Sequence, residues 1–394
     1  MRHLLRYALA GLLAAPLAGS TAPLPHFTQP NAIWNQDVSN APLRGNSANM
    51  MIRLETIAST RRGSPCQNAG ANQGCWGGDG GASSNKNFQM DWGMYALHAN
   101  LATPTAEVVA WPGVGVDPDD PYYSPDCDDP GLQTQFPVPI GGGIEGTGDP
   151  YQVPTVPPTY TCTPGDDCHL LVANDETKIL YESFSTVALD GSYGPGLHTH
   201  CALRWDLTRV YPRYGRGEHC TSADGAGFPI APLLFNADEV WAAAQVQGDL
   251  GHAIRFILGN DRMMDDKYVH PASHGTKATS DPDLVNGVPY GSRLRLKSTF
   301  NVAAFSSNEG VRAILRTLQK YGMFLSDGGG IPLTAEADDF NDHKWDADLN
   351  MDTHSLFGIR PTDFEVIEAG EPMTVTYDCV RTPEDFVFID GYDF

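Results

Sequence analysis

The spacing of apolar residues predicts three helices, over residues 307–321, 236–247 and 47–59. In the first segment the apolar side chains recur at helical spacing and fall on one face: Val311, Ile314, Leu315, Leu318 and Tyr321. Ser306 and Glu309 match a capping box at its start. The second segment opens with an asparagine, which is a favoured N-cap residue. We therefore expect each helix to bury one face against a neighbouring element.

Strands are expected to be more numerous than helices. Short runs rich in β-branched, aromatic and other apolar residues lie between turn signals, at residues 107–111, 169–173, 178–184, 252–258, 293–297, 323–325, 364–367 and 374–377. Residues 293–297 alternate strictly between basic and leucine side chains, which predicts one buried and one solvated face. The 41 glycines and 30 prolines supply many turns. These features predict a mainly β protein, a β-sandwich or jelly-roll-like fold with a few packed helices.

The first twenty residues have the pattern of a secretory signal peptide. Arg2 and Arg6 precede a short apolar run over residues 7–18, and small residues follow, with Ser20 before the expected cut. Residues 21–367 are then expected to form one mainly β globular domain. Residues 368–394 are expected to be a C-terminal tail, which ends in aromatic and acidic side chains.

The charge balance narrows the range of partners. The chain has 25 Lys and Arg against 48 Asp and Glu, a formal net charge of −23. Such a field repels phosphate backbones and anionic lipid surfaces, so we expect no nucleic-acid partner. No run after the signal peptide is apolar enough to predict a membrane span. These features indicate a secreted, periplasmic or cell-surface protein, and they leave the oligomeric state open.

Eight cysteines in an exported chain predict disulfides. Three pairs are close in sequence and are expected to bond locally, which leaves two cysteines for a fourth bridge: Cys66/Cys75, Cys162/Cys168 and Cys201/Cys220, then Cys127 with Cys379. Other connectivities remain open, since eight cysteines allow about 105 of them. No Cys-x-x-Cys occurs, so the commonest zinc and redox patterns are absent from the sequence.

A series of short motifs covers most of residues 136–367 and runs FPVP, IEG, DCHLLV, LYE, TSADGAGFPI, HAIRF, LRLK, YGMFLSDG and DFEV. Taken together, these motifs resemble a family of secreted bacterial proteins without an established activity. The family pattern has Asp-Arg-His where this chain has Asp167-Cys168-His169. The resemblance therefore implies a family and an extracellular setting, but no mechanism.

Candidate catalytic residues come from side-chain chemistry within these motifs: Glu145, His169, Asp224, His252, Arg255 and Asp327. Two carboxylates are enough for acid–base cleavage of a glycosidic bond. Glu145 or Asp327 would be the acid, and Asp224 the base or nucleophile. A lyase is the alternative, in which a histidine removes a proton beside a carboxylate that Arg255 neutralises. The expected function is that of a secreted enzyme acting on an extracellular polysaccharide, a glycoside hydrolase before a lyase.

Two further features need an interpretation. Asp346, Asp348, Asn350 and Asp352 place oxygen ligands at alternate positions, which is typical of the start of a calcium loop, although the usual glycine and glutamate are missing. Calcium is the one cofactor that the sequence suggests.

A non-catalytic carbohydrate-binding or surface protein is the alternative function, and it requires exposed tryptophans that stack on sugar rings: Trp34, Trp76 or Trp345.

Overall fold

The computed structural model describes residues 23–57, 76, 88–110, 135–139, 141–145, 167–188 and 196–381. The signal-peptide prediction lies outside these residues. Within them the chain forms 17 β-strands and four α-helices. The prediction of a mainly β fold with a few packed helices is confirmed.

All three predicted helices are present, together with one further turn of helix. The four are α1 (Ser47–Thr56), α2 (Ala237–Gln245), α3 (Val302–Phe305) and α4 (Glu309–Lys320). Asn236 caps α2 as predicted, its side chain accepting the Glu239 N–H at 2.9 Å. The predicted capping box at Ser306 is wrong, because α4 begins later and Asn308 is its N-cap, accepting the Val311 N–H at 3.2 Å.

The largest sheet has six strands and mixes parallel with antiparallel pairing. In spatial order it contains β1 (Met90–Met94), β15 (Leu333–Glu336), β10 (Ile254–Leu258), β14 (Met323–Gly328), β13 (Arg293–Leu296) and β16 (Phe364–Val366). The β1–β15 and β10–β14 pairs are parallel, and the other three pairs are antiparallel. The parallel pair β10–β14 brings the carboxyl ends of both strands to one edge, where the pocket described below lies.

Three smaller sheets complete the strand set of the described residues. One orders β2 (Ala96–Ala99), β5 (Leu170–Asn174), β6 (Ile179–Phe184) and β9 (Cys201–Asp206). A second orders β4 (Gln135–Pro137), β3 (Thr105–Ala110), β8 (Leu197–Thr199) and β7 (Val187–Ala188). The third orders β12 (Val288–Tyr290), β11 (Met263–Tyr268) and β17 (Met373–Thr374).

The sheet that contains β5 and β6 lies between two hydrophobic cores. Leu171 and Leu180 belong to the large core of the six-stranded sheet and the helices. Leu170 and Val172 alternate with them and belong to a smaller core, shared with Phe136. Because successive strand residues point to opposite faces, both faces of this sheet are buried. The predicted hairpin of residues 169–173 and 178–184 is therefore present, and its two strands lie between the two cores.

The prediction of a solvated face on residues 293–297 is wrong. Arg293 and Arg295 are both buried in β13. The Arg293 guanidinium donates to the carbonyl groups of Tyr321, Ile33 and Gln36, and Arg295 pairs with Glu365 at 2.5 Å. An N-terminal segment covers this face and supplies carbonyl acceptors, which is how the two charged groups tolerate burial.

Residues 368–381 are held to the rest of the protein by the pairing of β17 with β11 and by a disulfide. A disulfide joins Cys379 to Cys220, so the predicted Cys201/Cys220 pairing and the assignment of Cys379 to Cys127 are wrong. Cys168 and Cys201 are also disulfide-bonded. The predicted Cys66/Cys75 bridge, Cys127 and Cys162 lie outside the described residues. Among the helices of the described segments, none has the length and apolar character that a bilayer crossing needs.

Candidate active site

A pocket of about 340 Å³ opens where the carboxyl edge of β10 and β14 meets the ends of β6 and β9. Among the described residues its walls carry three aspartates and no lysine or arginine. The lining residues that the argument uses are Asp167, Phe184, Asp224, Gly225, Tyr290 and Asp327. An acidic pocket with aromatic walls is suited to a neutral or cationic ligand.

The loop over residues 221–227 places Asp224 beneath the pocket. The Ser222 hydroxyl donates to the Phe228 carbonyl at 2.5 Å and accepts the Asp224 N–H at 3.0 Å. The Gly227 N–H closes the turn by donating to the Asp224 carbonyl at 2.9 Å. Gly227 has φ +78, a conformation that favours glycine. The predicted turn in the TSADGAG motif is therefore present, and it fixes the Asp224 side chain.

Asp224 and Arg255 form a fully buried ion pair. Arg255 Nη2 donates to Asp224 Oδ1 at 2.6 Å, and Nη1 donates to the Thr334 hydroxyl at 3.0 Å. The other carboxylate oxygen, Asp224 Oδ2, is buried and has no hydrogen-bond partner among the described residues. Burial raises the pKa of Asp224 and the nearby Asp327 adds to the rise, while the Arg255 guanidinium opposes it and stabilises the ionised pair.

Asp327 reaches the pocket from a β-bulge near the end of β14. The register of the β10–β14 pair shifts at this point, so that Ile257 lies opposite Asp327. Bulges re-aim side chains, and here the Asp327 side chain keeps 29% of its surface exposed. Asp327 Oδ2 lies 4.0 Å from Arg255 Nη2, which makes it a neighbour of the buried pair. A Cβ at Gly225 would come within 2.5 Å of Asp327 Oδ1, so glycine permits this close approach.

Glu145 and His169 form a second pair beside the first. The imidazole donates through Nδ1 to Glu145 Oε2 at 2.5 Å and through Nε2 to the Ala223 carbonyl at 2.9 Å. Since both ring nitrogens face acceptors, both carry protons and the ring is cationic. Burial alone would lower the pKa of His169, but Glu145 outweighs it and raises that pKa to about 9. His169 thereby also holds the pKa of Glu145 below its usual value, against the effect of burial.

Two further carboxylates belong to this cluster, and sequence reasoning did not select them. Asp167 is exposed and also lines the pocket. Partial loss of hydration there raises the pKa of Asp167, His169 opposes the rise, and Asp327 and Glu145 add to it. The pKa of Asp91, which lies in β1, is raised mainly by burial and by the negative charge of Glu145. Asp167 was within reach of prediction, because it directly precedes the disulfide-bonded Cys168 in the DCH motif. Asp91 carried no such signal.

The structure brings together five of the six predicted catalytic residues and separates the sixth. Glu145, His169, Asp224, Arg255 and Asp327 interact electrostatically with one another. His252 does not join them. It lines a different pocket and contacts His26 and Glu239 instead. The prediction that His252 would converge with the carboxylates is therefore wrong, because it precedes β10 rather than lying on it.

The predicted calcium ligands lie in turns and loops, where the oxygens of the three aspartates accept backbone N–H groups. Asp348 accepts from Lys344 at 2.8 Å and Asp352 from His354 at 2.9 Å. Asp346 accepts from the Ala347 N–H, and Asn350 has a positive φ of 49°. Across the described segments, Asp346, Asp348 and Asp352 do not converge as a set of metal ligands.

The tryptophans that a sugar-binding surface requires are buried. Trp34 is 3% exposed, and Trp76 and Trp345 are fully buried. Trp345 stacks on Trp92 with ring centroids 5.2 Å apart, inside the protein. The prediction of exposed Trp34 or Trp345 is therefore wrong.

No family model, no curated protein and no solved structure matches this chain.

Proposed function

We propose that the pocket is the active site of a secreted enzyme that cleaves an extracellular polysaccharide by acid–base chemistry, a glycoside hydrolase before a lyase. The observation that carries the proposal is a pair of aspartates, Asp167 and Asp327, that line one pocket, where burial and the charge of Asp327 raise the pKa of Asp167. Glycoside hydrolases use two carboxyl groups in this way, one protonated and one ionised. The Cys220–Cys379 disulfide supports a setting outside the cytoplasm.

The environments of the two aspartates suggest their roles. Asp167 has a raised pKa and is accessible, which suits a general acid that protonates the leaving oxygen. Asp327 is partly exposed to the pocket and lies 4.0 Å from the Arg255 guanidinium, and we assign it the role of base or nucleophile. Asp224 is fully buried, so it holds Arg255 in place rather than touching substrate. Glu145 is bound to His169 and is not free to donate a proton.

The same geometry favours a hydrolase over a lyase. A lyase needs a cation that neutralises the substrate carboxylate, and the sequence suggested Arg255 for that role. Arg255 is 2% exposed and already donates to Asp224 and Thr334. Among the described residues, the pocket lining has no lysine or arginine that would attract a uronate chain. A neutral polysaccharide is therefore the expected substrate class, with the partly buried Phe184 as an apolar wall for the sugar rings.

A panel of neutral and uronate polysaccharides tests this proposal. Reducing ends released from a neutral glycan, with no ultraviolet absorbance from unsaturated ends, would support the hydrolase. Unsaturated ends released from a uronate polymer would show a lyase instead. Binding of a glycan without product would indicate the non-catalytic alternative and contradict the proposal.

A further inference from the structure

A second cluster of ligand-type side chains lies apart from the proposed active site. It consists of His26 in the N-terminal segment, Glu239 in the first turn of α2 and His252 just before β10. Their ligand atoms all lie within 4.8 Å of one another, and no other such group of three or more His, Cys, Asp or Glu occurs in the segments that the structure describes. The three residues are distant in sequence, so only the fold brings them together.

Both histidines are oriented as metal ligands. The Nδ1–H of His26 donates to the Pro232 carbonyl, and the Nδ1–H of His252 donates to the Ala253 carbonyl, each at 2.9 Å. A carbonyl can only accept, so these bonds place a proton on Nδ1 and turn Nε2 toward the cluster, where zinc would displace the proton that His26 Nε2 shares with Glu239 Oε1. Ligating histidines usually have this kind of support from a backbone carbonyl on the far nitrogen.

Two atoms at the centre of the cluster have no hydrogen-bond partner. His252 is 2% exposed, and its Nε2 is buried without a partner among the described residues. Glu239 Oε2 is likewise buried without one, 3.8 Å from that nitrogen. A buried acceptor left without a donor is destabilising by about 1–3 kcal/mol. A bound cation would satisfy both atoms at once.

The spacing is compatible with a tetrahedral ion. Zinc bonds of about 2.0–2.1 Å place neighbouring ligand atoms about 3.3 Å apart. The observed separations are 2.5 Å from Glu239 Oε1 to His26 Nε2 and 3.8 Å from Glu239 Oε2 to His252 Nε2, on either side of that value. Asn236 caps α2 and holds the Glu239 backbone, so small rotations of the side chains would suffice. A pocket of about 300 Å³ adjoins the two histidines and is lined in part by Asn35 and Gly251.

We propose that His26, Glu239 and His252 bind a zinc ion, with the fourth coordination position directed toward the adjoining pocket. Two imidazoles and one carboxylate are a ligand set that leaves zinc a position for water or another small ligand. The ion would join the N-terminal segment to α2 and to the start of β10. This proposal does not depend on the polysaccharide-cleaving function.

The test is titration of chelator-treated full-length protein with zinc chloride alone, followed by calorimetry. The expected result is one zinc bound per chain, with affinity reduced by about 100-fold or more in His252→Ala and in Glu239→Gln. His343→Ala is the matched control, because His343 pairs with Asp238 of the same helix at 2.8 Å without a second histidine. It should bind zinc as the wild type does. Cobalt should give the visible absorption of a tetrahedral site in the wild type.

Absence of zinc binding by the wild type would overturn the proposal, and the cluster would then be an ion pair between His26 and Glu239. Equal binding by the wild type and His252→Ala would overturn it as well. Circular dichroism of each variant shows whether it is folded. If His252→Ala does not fold, His26→Ala removes a ligand from the less buried side and is expected to show the same loss.

Discussion

The pair of Glu145 and His169 predicts a specific dependence of stability on pH. His169 has a folded-state pKa of about 9 against an ordinary value of 6.5. A raised pKa means that the folded state holds the proton more tightly, so the stabilisation is complete below 6.5 and is lost as pH rises to about 9. The difference corresponds to about 3 kcal/mol, from roughly 1.4 kcal/mol for each pKa unit. On the acid side the stabilisation falls when Glu145 becomes protonated, below its lowered pKa.

Glu145→Gln removes the charge and keeps the shape of the side chain. We expect it to lower the free energy of unfolding by up to about 3 kcal/mol near roughly pH 6, and by much less near roughly pH 9.5, where His169 is neutral in both proteins. Urea denaturation of both proteins at the two pH values measures the difference.

The control is Asp175→Asn, which alters a His–carboxylate pair at the surface. His98 donates to Asp175 at 3.0 Å, and Asp175 keeps 48% of its side chain exposed. Exposed pairs typically contribute about 0–1 kcal/mol, so this variant should change little at either pH. Equal destabilisation by Glu145→Gln at both pH values would refute the reasoning, since it would mean that His169 carries no charge in the folded protein.

Three other predictions concern the same region. Replacing Cys220 and Cys379 by serine removes a bridge that closes a loop with a sequence separation of 159. The chain-entropy relation predicts that the free energy of unfolding falls by about 5 kcal/mol, which thermal and urea unfolding would measure. An unchanged melting temperature would contradict this prediction. Gly225→Ala should displace the Asp327 carboxylate and reduce activity with little loss of stability, whereas full activity would show that Asp327 is not in the reacting position. Asp224→Asn should lower stability by about 3–5 kcal/mol, because its arginine partner stays buried and charged; a neutral effect in urea unfolding would contradict the buried pair.

Local sequence patterns predicted three of the four α-helices but fewer than half of the 17 strands of the described residues, because helices and hairpins depend on neighbours in the chain and the other strands depend on distant partners. The α2 helix and its Asn236 cap follow directly from residues next to one another in the chain. The burial of Arg293 and Arg295 could not be predicted in this way. Several of their acceptors are the carbonyl groups of Ile33, Gln36 and Val38, more than 200 residues away in the sequence.

In the candidate site, too, local motifs predicted some features and missed those that depend on residues distant in the sequence. Residue type and motif selected Glu145, His169, Asp224, Arg255 and Asp327, and the fold brings these five together. The short separation between Cys201 and Cys220 gave a wrong pairing, because the C-terminal segment returns to bond Cys220. The placement of His252 depends on His26 and Glu239, whose proximity no spacing along the chain indicates.

The most direct test of the central proposal separates the roles of the two pocket aspartates. On a neutral polysaccharide, both Asp167→Asn and Asp327→Asn should reduce kcat by about 10²–10⁴-fold, while Asp175→Asn should not. An aryl glycoside with an acidic leaving group needs no protonation, so Asp167→Asn should retain most of its activity on that substrate and Asp327→Asn should not. Initial rates of the four proteins on both substrates decide the matter. Loss of this difference between the two substrates, or full activity of Asp327→Asn on the polysaccharide, would contradict the account.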